Sequence, residues 1–448
     1  MTGTTRRWDC ADLERRLLRT LDIALRAVDV LAPDGYRDAV DPTVDVRPEK
    51  VVTETAMLVL AAARAAVDRP ALRARVDELA RRLAPHARGE RARAAVCLEP
   101  AMALSHGCAH VCLSRAGHPD PAFDRLLHTA CTWPRTAPGR ERPPHRDLEQ
   151  VWLTELSGIP QQARRTYTLH PVLARSMLGR PLDALAGSRD DAYALTHAVM
   201  FATDLGSRRP RLPRPLSAVQ ADTEAAMATS LDQHDYDLAG ELLFCGPMLG
   251  QPWSPASVFA FQLLTTADDQ AGFLPTPLVR SERYHGLGSE DRSRYALATT
   301  YHAVYVLGLL CAVTLTNRVA PPVDIAPDTS GCLGAVEQLL AQLPARTGDQ
   351  DEQPQWYQRL LALPPRQQAR LSPLVLSIAL RRAVDLRRLD CVQLLLESAR
   401  QWDLLQAPGA GQAGHLLLRA SLLASWESDD ECAPPPAALR ADSLTGSA

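Results

Sequence analysis

The sequence contains almost no lysine and few aromatic residues. Lys50 is the single lysine, so nearly all of the 49 Lys+Arg residues are arginine, and Phe, Trp and Tyr together make up 5% of the chain. The formal net charge of −3 and the pI near 6.5 leave no basic surplus of the kind that nucleic-acid-binding domains carry. We therefore expect no nucleic-acid partner, and the arginine bias is better explained by a GC-rich genome than by a binding role.

Motifs that identify several common enzyme classes are missing from the sequence. It has no Gly-x-Gly-x-x-Gly after a strand, no Gly-Lys-Ser/Thr phosphate loop and no Gly-x-Ser-x-Gly turn. The pairs Asp190-Asp191 and Asp268-Asp269 do not continue into the aspartate-rich pattern of prenyl-diphosphate enzymes. The sequence therefore predicts no cofactor.

The chain also lacks the segments that direct proteins into or across membranes. Its amino terminus has no apolar signal region, so we expect a cytoplasmic protein whose scattered cysteines are free thiols. Residues 295–317 carry no formal charge and are long enough to span a bilayer, but they include Thr299, Thr300 and His302. A helix surrounded by protein is favoured over a membrane span.

Helical periodicity dominates the chain, and convincing strand alternation is missing. Proline-rich stretches divide the pattern into an amino-terminal set (1–133), a central set with a probable pocket (147–318), a carboxyl-terminal set (332–430) and a disordered tail (431–448). The prediction is an all-α fold, either an α/α-toroid-like arrangement or an irregular helical repeat array. Because no clean repeat period is found, the toroid is favoured, with residues 192–204 and 292–316 as inner helices.

Two helix-patterned segments each carry a histidine in a mainly apolar stripe. Tyr193 and His197 share one face of the first segment, and Tyr295 and His302 share one face of the second. Titratable groups in an apolar wall are enriched at functional sites, so all four are candidate catalytic residues that line one cavity. In the alternative interpretation, each histidine is a core residue that bonds a nearby carbonyl or hydroxyl group.

Glu241 is the fifth candidate catalytic residue. It recurs with Asp237 and Cys245 at steps of four residues, beside an apolar face. A carboxylate there could hold a histidine in one tautomer or serve as the acid of an acid/base pair. An exposed carboxylate is the alternative, and Asp237 is also typical of a helix amino terminus.

A histidine- and cysteine-rich segment resembles a metal site. His106 and His110 are one helical turn apart, but Cys108 and Cys112 lie about half a turn away from them, and no glutamate stands between the histidines. The interpretation is structural burial without bound metal. Whether His106, His110 or Cys245 joins a metal site with distant ligands stays open.

Three blocks carry a resemblance to a known family: DAYALTHAVMFATD (191–204), DYDLAGELL (235–243) and RYALATTYHAVY (294–305). They resemble an uncharacterised actinobacterial family of largely helical proteins, over about the middle half of the chain. The resemblance brings no assigned activity, and it implies a place in specialised metabolism.

A second similarity concerns SHGCA (105–109) and FCGPMLG (244–250). These are similar to the His-Gly and Cys-Gly turns of lanthionine-synthetase cyclases, which are α/α-toroids with a Cys/Cys/His zinc site. This chain lacks their Cys-His-Gly element, so the similarity implies an architecture and not a complete zinc site.

These observations support two hypotheses about function. The first is a cofactor-free acid/base enzyme, a cyclase, lyase or isomerase, that acts on a natural-product or peptide intermediate. The alternative is a non-catalytic helical binding or scaffold protein. An enzyme should bring both histidines to one enclosed cavity, whereas a scaffold should bury them in packing and offer an open groove.

Overall fold

The computed structural model describes residues 9–31, 47–133, 142–159, 169–328, 333–346 and 353–429, the last six by their backbone alone. Within these ranges every regular element is a helix, so the all-α prediction is confirmed. The predicted disordered tail (431–448) and most of the predicted linker after residue 133 lie outside the described residues. The predicted division into three helical sets stays a prediction.

Twenty-one α-helices are described. The first eleven are α1 (Cys10–Asp29), α2 (Pro48–Ala65), α3 (Pro70–Arg88), α4 (Glu90–Leu98), α5 (Ala103–His106), α6 (Cys108–Arg115), α7 (Pro121–Thr132), α8 (Pro144–Ser157), α9 (Leu169–Arg175), α10 (Arg189–Ala202) and α11 (Leu216–Asp232). The others are α12 (Tyr236–Leu249), α13 (Pro255–Ala271), α14 (Ser281–Gly286), α15 (Ser289–Asn317), α16 (Ala335–Ala341), α17 (Gln355–Leu361), α18 (Pro365–Ala369), α19 (Ser372–Asp385), α20 (Leu389–Gln401) and α21 (Ala410–Asp429).

Local sequence signals explain where the helices near the site begin and end. α10 starts with a capping box, in which the side chains of Ser188 and Asp191 each bond the other's backbone N–H. The Asp235 side chain caps α12 by accepting from Leu238 N. α12 ends at Gly250, whose φ of 70° is in the left-handed region that glycine adopts without strain.

Residues 91–113 do not form one continuous helix. A 3-10 turn at Pro100–Met102 separates α4 from α5, and Gly107 separates α5 from α6. Pro100 has no N–H with which to continue a helix. A Cβ at residue 107 would lie 2.5 Å from Leu127 Cδ2, which shows how closely α7 approaches this turn. His106 and His110 therefore belong to different helices.

Six helices contact one another in a closed circuit, and we call them the inner helices. α2 contacts α6, α6 contacts α8, α8 contacts α10, α10 contacts α12, α12 contacts α15, and α15 returns to α2. Other helices pack against this circuit: α1 contacts α15, α3 contacts α2, and α11 and α13 contact α12.

Contacts at one end of the circuit show how five of the inner helices are oriented. Arg64, near the end of α2, binds the Asp204 carboxylate just beyond α10, and Trp152 of α8 donates to the same carboxylate at 2.7 Å. Asn317, the last residue of α15, donates to Pro247 O in the last turn of α12. A Cβ at Gly206, which follows α10, would meet both Asn317 and Met248. The carboxyl ends of α2, α8, α10, α12 and α15 therefore gather at one end.

α15 is long and apolar enough to cross a membrane, but 83% of its most apolar window is buried inside the protein. Between Ala298 and Leu315, every residue except His302 is buried. A Cβ at Gly308 would lie 2.4 Å from the Thr20 methyl group, which shows how closely α1 covers α15. α15 is thus packed as a core helix, as the sequence predicted.

The carboxyl-terminal helices are attached through a buried ion pair. Arg382 of α19 donates to both oxygens of Asp232 at the end of α11, at 2.8 and 2.5 Å. The indole of Trp356 in α17 donates to the same carboxylate at 2.9 Å. Because Asp232 is buried and accepts all three bonds, it fixes α17 and α19 against the end of α11.

Candidate functional site

Five ionisable side chains from four inner helices form what we call the histidine–carboxylate cluster. Its members are Glu54 on α2, His197 on α10, Asp237 and Glu241 on α12, and His302 on α15. Each lies at an interface between neighbouring inner helices. The two histidines predicted from sequence are therefore joined through the predicted carboxylate, Glu241.

His302 stands at the centre of the cluster, with a carboxylate on each side of its ring. Its Nδ1 is 3.0 Å from Glu54 Oε2. Its Nε2 is 3.3 Å from Glu241 Oε1 and 3.5 Å from Asp237 Oδ1. Both ring nitrogens thus face carboxylates, which is the environment of an imidazolium ion.

The charges in the cluster stabilise one another. Burial by itself would lower the pKa of His302, but the Glu54 and Asp237 charges and the bond to Glu241 raise that pKa well above its usual range. In return, the positive charge of His302 lowers the pKa of Glu54 against the effect of burial. The pKa of Glu241 is lowered in the same way, by His197 when that ring is protonated and by His302. His302 is accordingly a cation held between two anions.

Asp237 behaves differently from the two glutamates. Burial raises the pKa of its carboxyl group, and the neighbouring Glu241 charge raises it further, although His302 opposes both effects. The Tyr193 hydroxyl donates to Asp237 Oδ2 at 2.6 Å. Because burial and the Asp237 and Glu241 charges disfavour a phenolate, the pKa of Tyr193 is raised as well. Tyr193 therefore remains a hydrogen-bond donor and is not a base.

His197 is held by its Nδ1 atom. That nitrogen lies 2.8 Å from the Tyr193 carbonyl oxygen and 4.0 Å from Glu241 Oε2. A carbonyl oxygen can only accept, so Nδ1 carries the proton and the lone pair of the neutral ring resides on Nε2. Among the described residues, no hydrogen bond reaches this Nε2. His197 is thus the member of the cluster with an open basic nitrogen.

Two further side chains border His197. The His145 ring of α8 lies 5.9 Å from the His197 ring, and burial with the nearby His197 charge lowers the pKa of His145 to about 4. The Phe201 ring lies 6.0 Å away on the other side. His145 is therefore neutral near pH 7, and together these rings give His197 a weakly polar wall.

The cluster is partly accessible to solvent. The side chains of His197 and His302 are each 27% exposed, whereas the Glu241 side chain is 5% exposed. Farther toward the gathered carboxyl ends, Trp152, Phe244 and Tyr305 are fully buried and fill the space between the helices. The histidine rings are thus the most exposed members of the cluster, followed by Glu54 at 20%.

The structure does not bring every predicted residue to the cluster. The Tyr295 hydroxyl accepts from Arg280 N and donates to Leu278 O, so it anchors the loop before α14. Sequence reasoning missed Glu54 and treated Asp237 mainly as a helix-start residue. The available signal for Glu54 was an acidic residue inside the apolar stretch of α2.

Two cavities among the described residues are lined by neither His197 nor His302, so neither is the predicted cavity between the histidines. A cavity of about 200 Å³ is lined by Glu224, Ser254 and Arg370 among others, and includes neither histidine. The shared pocket stays a prediction, supported by the convergence of both histidines on Glu241.

His110, from the histidine- and cysteine-rich segment, and Cys245 both have structural roles. His110 is fully buried, with its Nε2 2.8 Å from Asp124 and its Nδ1 accepting from Arg88. Cys245 is buried and donates to the Glu241 carbonyl oxygen. In the described part of the chain, no group of three or more His, Cys, Asp or Glu side chains is arranged to hold a metal ion.

Comparison with known proteins identifies the family of the chain. Neither a curated protein nor a solved structure matches the chain. A family model described as a domain of unknown function (DUF6895) matches residues 15–312. This match extends from α1 through most of α15 and includes every member of the histidine–carboxylate cluster. Since it spans more than half of the sequence, the chain belongs to the DUF6895 family.

Proposed function

We propose that this protein is a cofactor-free acid/base enzyme of the cyclase, lyase or isomerase type, in which His197 is the general base. The observation that carries the proposal is the bonding of His197: Nδ1 is bonded to the Tyr193 carbonyl, and Nε2 is left open on a partly accessible ring. A catalytic base needs such a fixed tautomer and a free lone pair.

The surroundings of His197 suit proton removal. When Nε2 takes a proton from a substrate carbon, the ring becomes positive, and Glu241 Oε2 is 4.0 Å from Nδ1 to stabilise that charge. His302 and Thr196 bind Glu241 and hold its carboxylate in place, so both are positioning residues. His302 faces carboxylates on both sides and is therefore less suited to act on a substrate itself.

The proposal also includes the architecture, the substrate class and the cellular setting of the protein. The closed circuit of inner helices, five of them parallel, supports an α/α-toroid with the cluster inside it. The substrate class is a small natural-product or peptide intermediate, and the setting is the cytoplasm of an actinobacterium and its specialised metabolism. No nucleic acid or membrane partner is expected.

An exchange experiment tests the proposal without knowledge of the substrate. The purified protein is incubated in D₂O with a small-molecule extract of the source cells, and metabolites are compared by mass spectrometry. A base that removes and returns a carbon-bound proton introduces deuterium, so at least one metabolite should gain one mass unit over the no-enzyme sample. The His197→Gln variant should lose this gain, because an amide has no basic nitrogen.

The control is Tyr295→Phe, which changes a buried aromatic residue outside the cluster and should leave exchange intact. Absence of any wild-type exchange would contradict the proposal. It would favour the binding-protein alternative, which is supported by the exposed Leu418, Leu422 and Leu423 on α21.

A further inference from the structure

The position of the single lysine calls for a physical explanation. The chain has 49 Lys+Arg residues, and Lys50 alone among them is not arginine. A purely electrostatic role at residue 50 could be filled by arginine, as it is everywhere else in this chain. The property that arginine lacks is a primary amine that can lose its proton and act as a nucleophile.

The ion pair that Lys50 makes does not explain why residue 50 is a lysine. Lys50 lies in the first turn of α2, where the helix dipole disfavours a cation. Its partner, Glu54, follows four residues later, and this Lys-before-Glu order is the weaker of the two possible orders. With 57% of the Lys50 side chain exposed, such a pair contributes little to stability.

The same contact places the amine next to the histidine–carboxylate cluster. Lys50 Nζ is 3.7 Å from Glu54 Oε1, and the other oxygen of Glu54 is 3.0 Å from His302 Nδ1. Glu54 therefore stands between the accessible amine and the central imidazolium. A carboxylate beside an amine can take its proton and return it to a leaving oxygen.

We propose that Lys50 forms an imine with an aldehyde or ketone substrate, and that the cluster then acts on this adduct. The proposal rests on the proposed function and names its substrate class. Glu54 accepts one ammonium proton, and the amine nitrogen attacks the carbonyl carbon to form a C–N bond. The carbonyl oxygen takes up two protons, one returned by Glu54 and one from the nitrogen of the tetrahedral intermediate, and leaves as water, which gives a protonated imine. His197 Nε2 removes a proton from the adjacent carbon, which the positively charged imine makes more acidic.

Reductive trapping tests this inference, with dihydroxyacetone as the probe and sodium cyanoborohydride as the reductant. Peptide mapping then measures the adduct at residue 50. The reference is the Arg125→Lys variant, because Arg125 is also exposed on a helix but has no carboxylate partner among the described residues. Lys50 should react about tenfold faster than this reference amine, which corresponds to about 1.4 kcal/mol of barrier. Glu54→Gln should reduce the Lys50 rate to that of the reference.

Equal rates at the two amines, or a Lys50 rate that Glu54→Gln leaves unchanged, would overturn the inference. The result of the trapping experiment can be distinguished from the result of the deuterium-exchange experiment that tests the proposed function. Trapping should persist in His197→Gln, because the C–N bond forms before His197 acts. Fast trapping without deuterium exchange would therefore contradict the role of His197 alone, and exchange without selective trapping would contradict the role of Lys50 alone.

Discussion

Replacement of His302 by leucine separates a charge-balancing histidine from a catalytic one. Three carboxylate oxygens lie 3.0 to 3.5 Å from its ring nitrogens. Two opposite charges about 4 Å apart attract by about 4 kcal/mol at an effective dielectric constant of about 20. Removing one partner of a buried pair costs about 3–5 kcal/mol, because the other charge stays buried without compensation. We expect His302→Leu to lower the free energy of unfolding near pH 7 by about that amount.

The comparison variant is His197→Leu. His197 bonds one carbonyl oxygen and lies 4.0 Å from its nearest carboxylate, so its removal should cost about 1 kcal/mol. Urea unfolding followed by far-ultraviolet circular dichroism measures both variants. A His302→Leu loss no larger than that of His197→Leu would refute the assignment of His302 as the cation of the cluster.

The pH dependence gives a second check on the same variant. Because the pKa of His302 is raised in the folded protein, its stabilisation is fully present below the ordinary value of 6.5 and is lost as pH rises through the folded pKa. The pKa values of Glu54 and Glu241 are lowered, so their stabilisation is present above 4.5 and is lost as pH falls through their folded pKa values. The difference between wild type and His302→Leu should therefore be largest between about pH 4.5 and 6.5 and shrink in stronger acid. A pH-independent difference would contradict this account.

Two other substitutions test the packing. Asp232→Ala should lower the free energy of unfolding by about 3–5 kcal/mol, because Arg382 would stay buried without its partner. Limited proteolysis of this variant should then cut first within residues 353–429. Cleavage that is unchanged from wild type would argue against this attachment of the carboxyl-terminal helices. Gly308→Ala should lower stability by about 1–3 kcal/mol, since its Cβ would meet the Thr20 methyl group at 2.4 Å. Thr20→Ala should recover part of that loss in thermal melting, and no recovery would show that the strain lies elsewhere.

The helical class could be predicted from the sequence because apolar spacing is a local property of each segment. The same spacing identified His197, His302 and Glu241, whose neighbours on their own helices mark a mainly apolar face. Whether two such faces meet depends on how the helices pack, which no local pattern specifies. Their convergence on Glu241 therefore required the structure.

The residues that sequence reasoning misjudged depend on contacts between helices. Glu54 resembles an ordinary helix-surface acid until α15 places His302 3.0 Å away. Asp237 fits a helix start equally well, and only the Tyr193 and His302 contacts reveal its second role. Tyr295 shares a helix face with His302, seven residues away, much as Tyr193 does with His197, four residues away. The Tyr295 hydroxyl is nevertheless bonded to a nearby loop and does not reach the cluster.

The closing contact of the helix circuit has a consequence for biosynthesis. α15 completes the circuit by packing against α2, and the hydrogen bond from Thr55 to Tyr305 joins residues 250 positions apart. The faces of α1 and α2 that pack on α15 therefore have no native cover until the ribosome has made and released residue 317. Contacts of such long sequence separation form slowly, and the waiting surfaces are prone to aggregation. A chain truncated before α15 should thus require chaperone protection, whereas one that ends after residue 317 has the whole circuit available to fold.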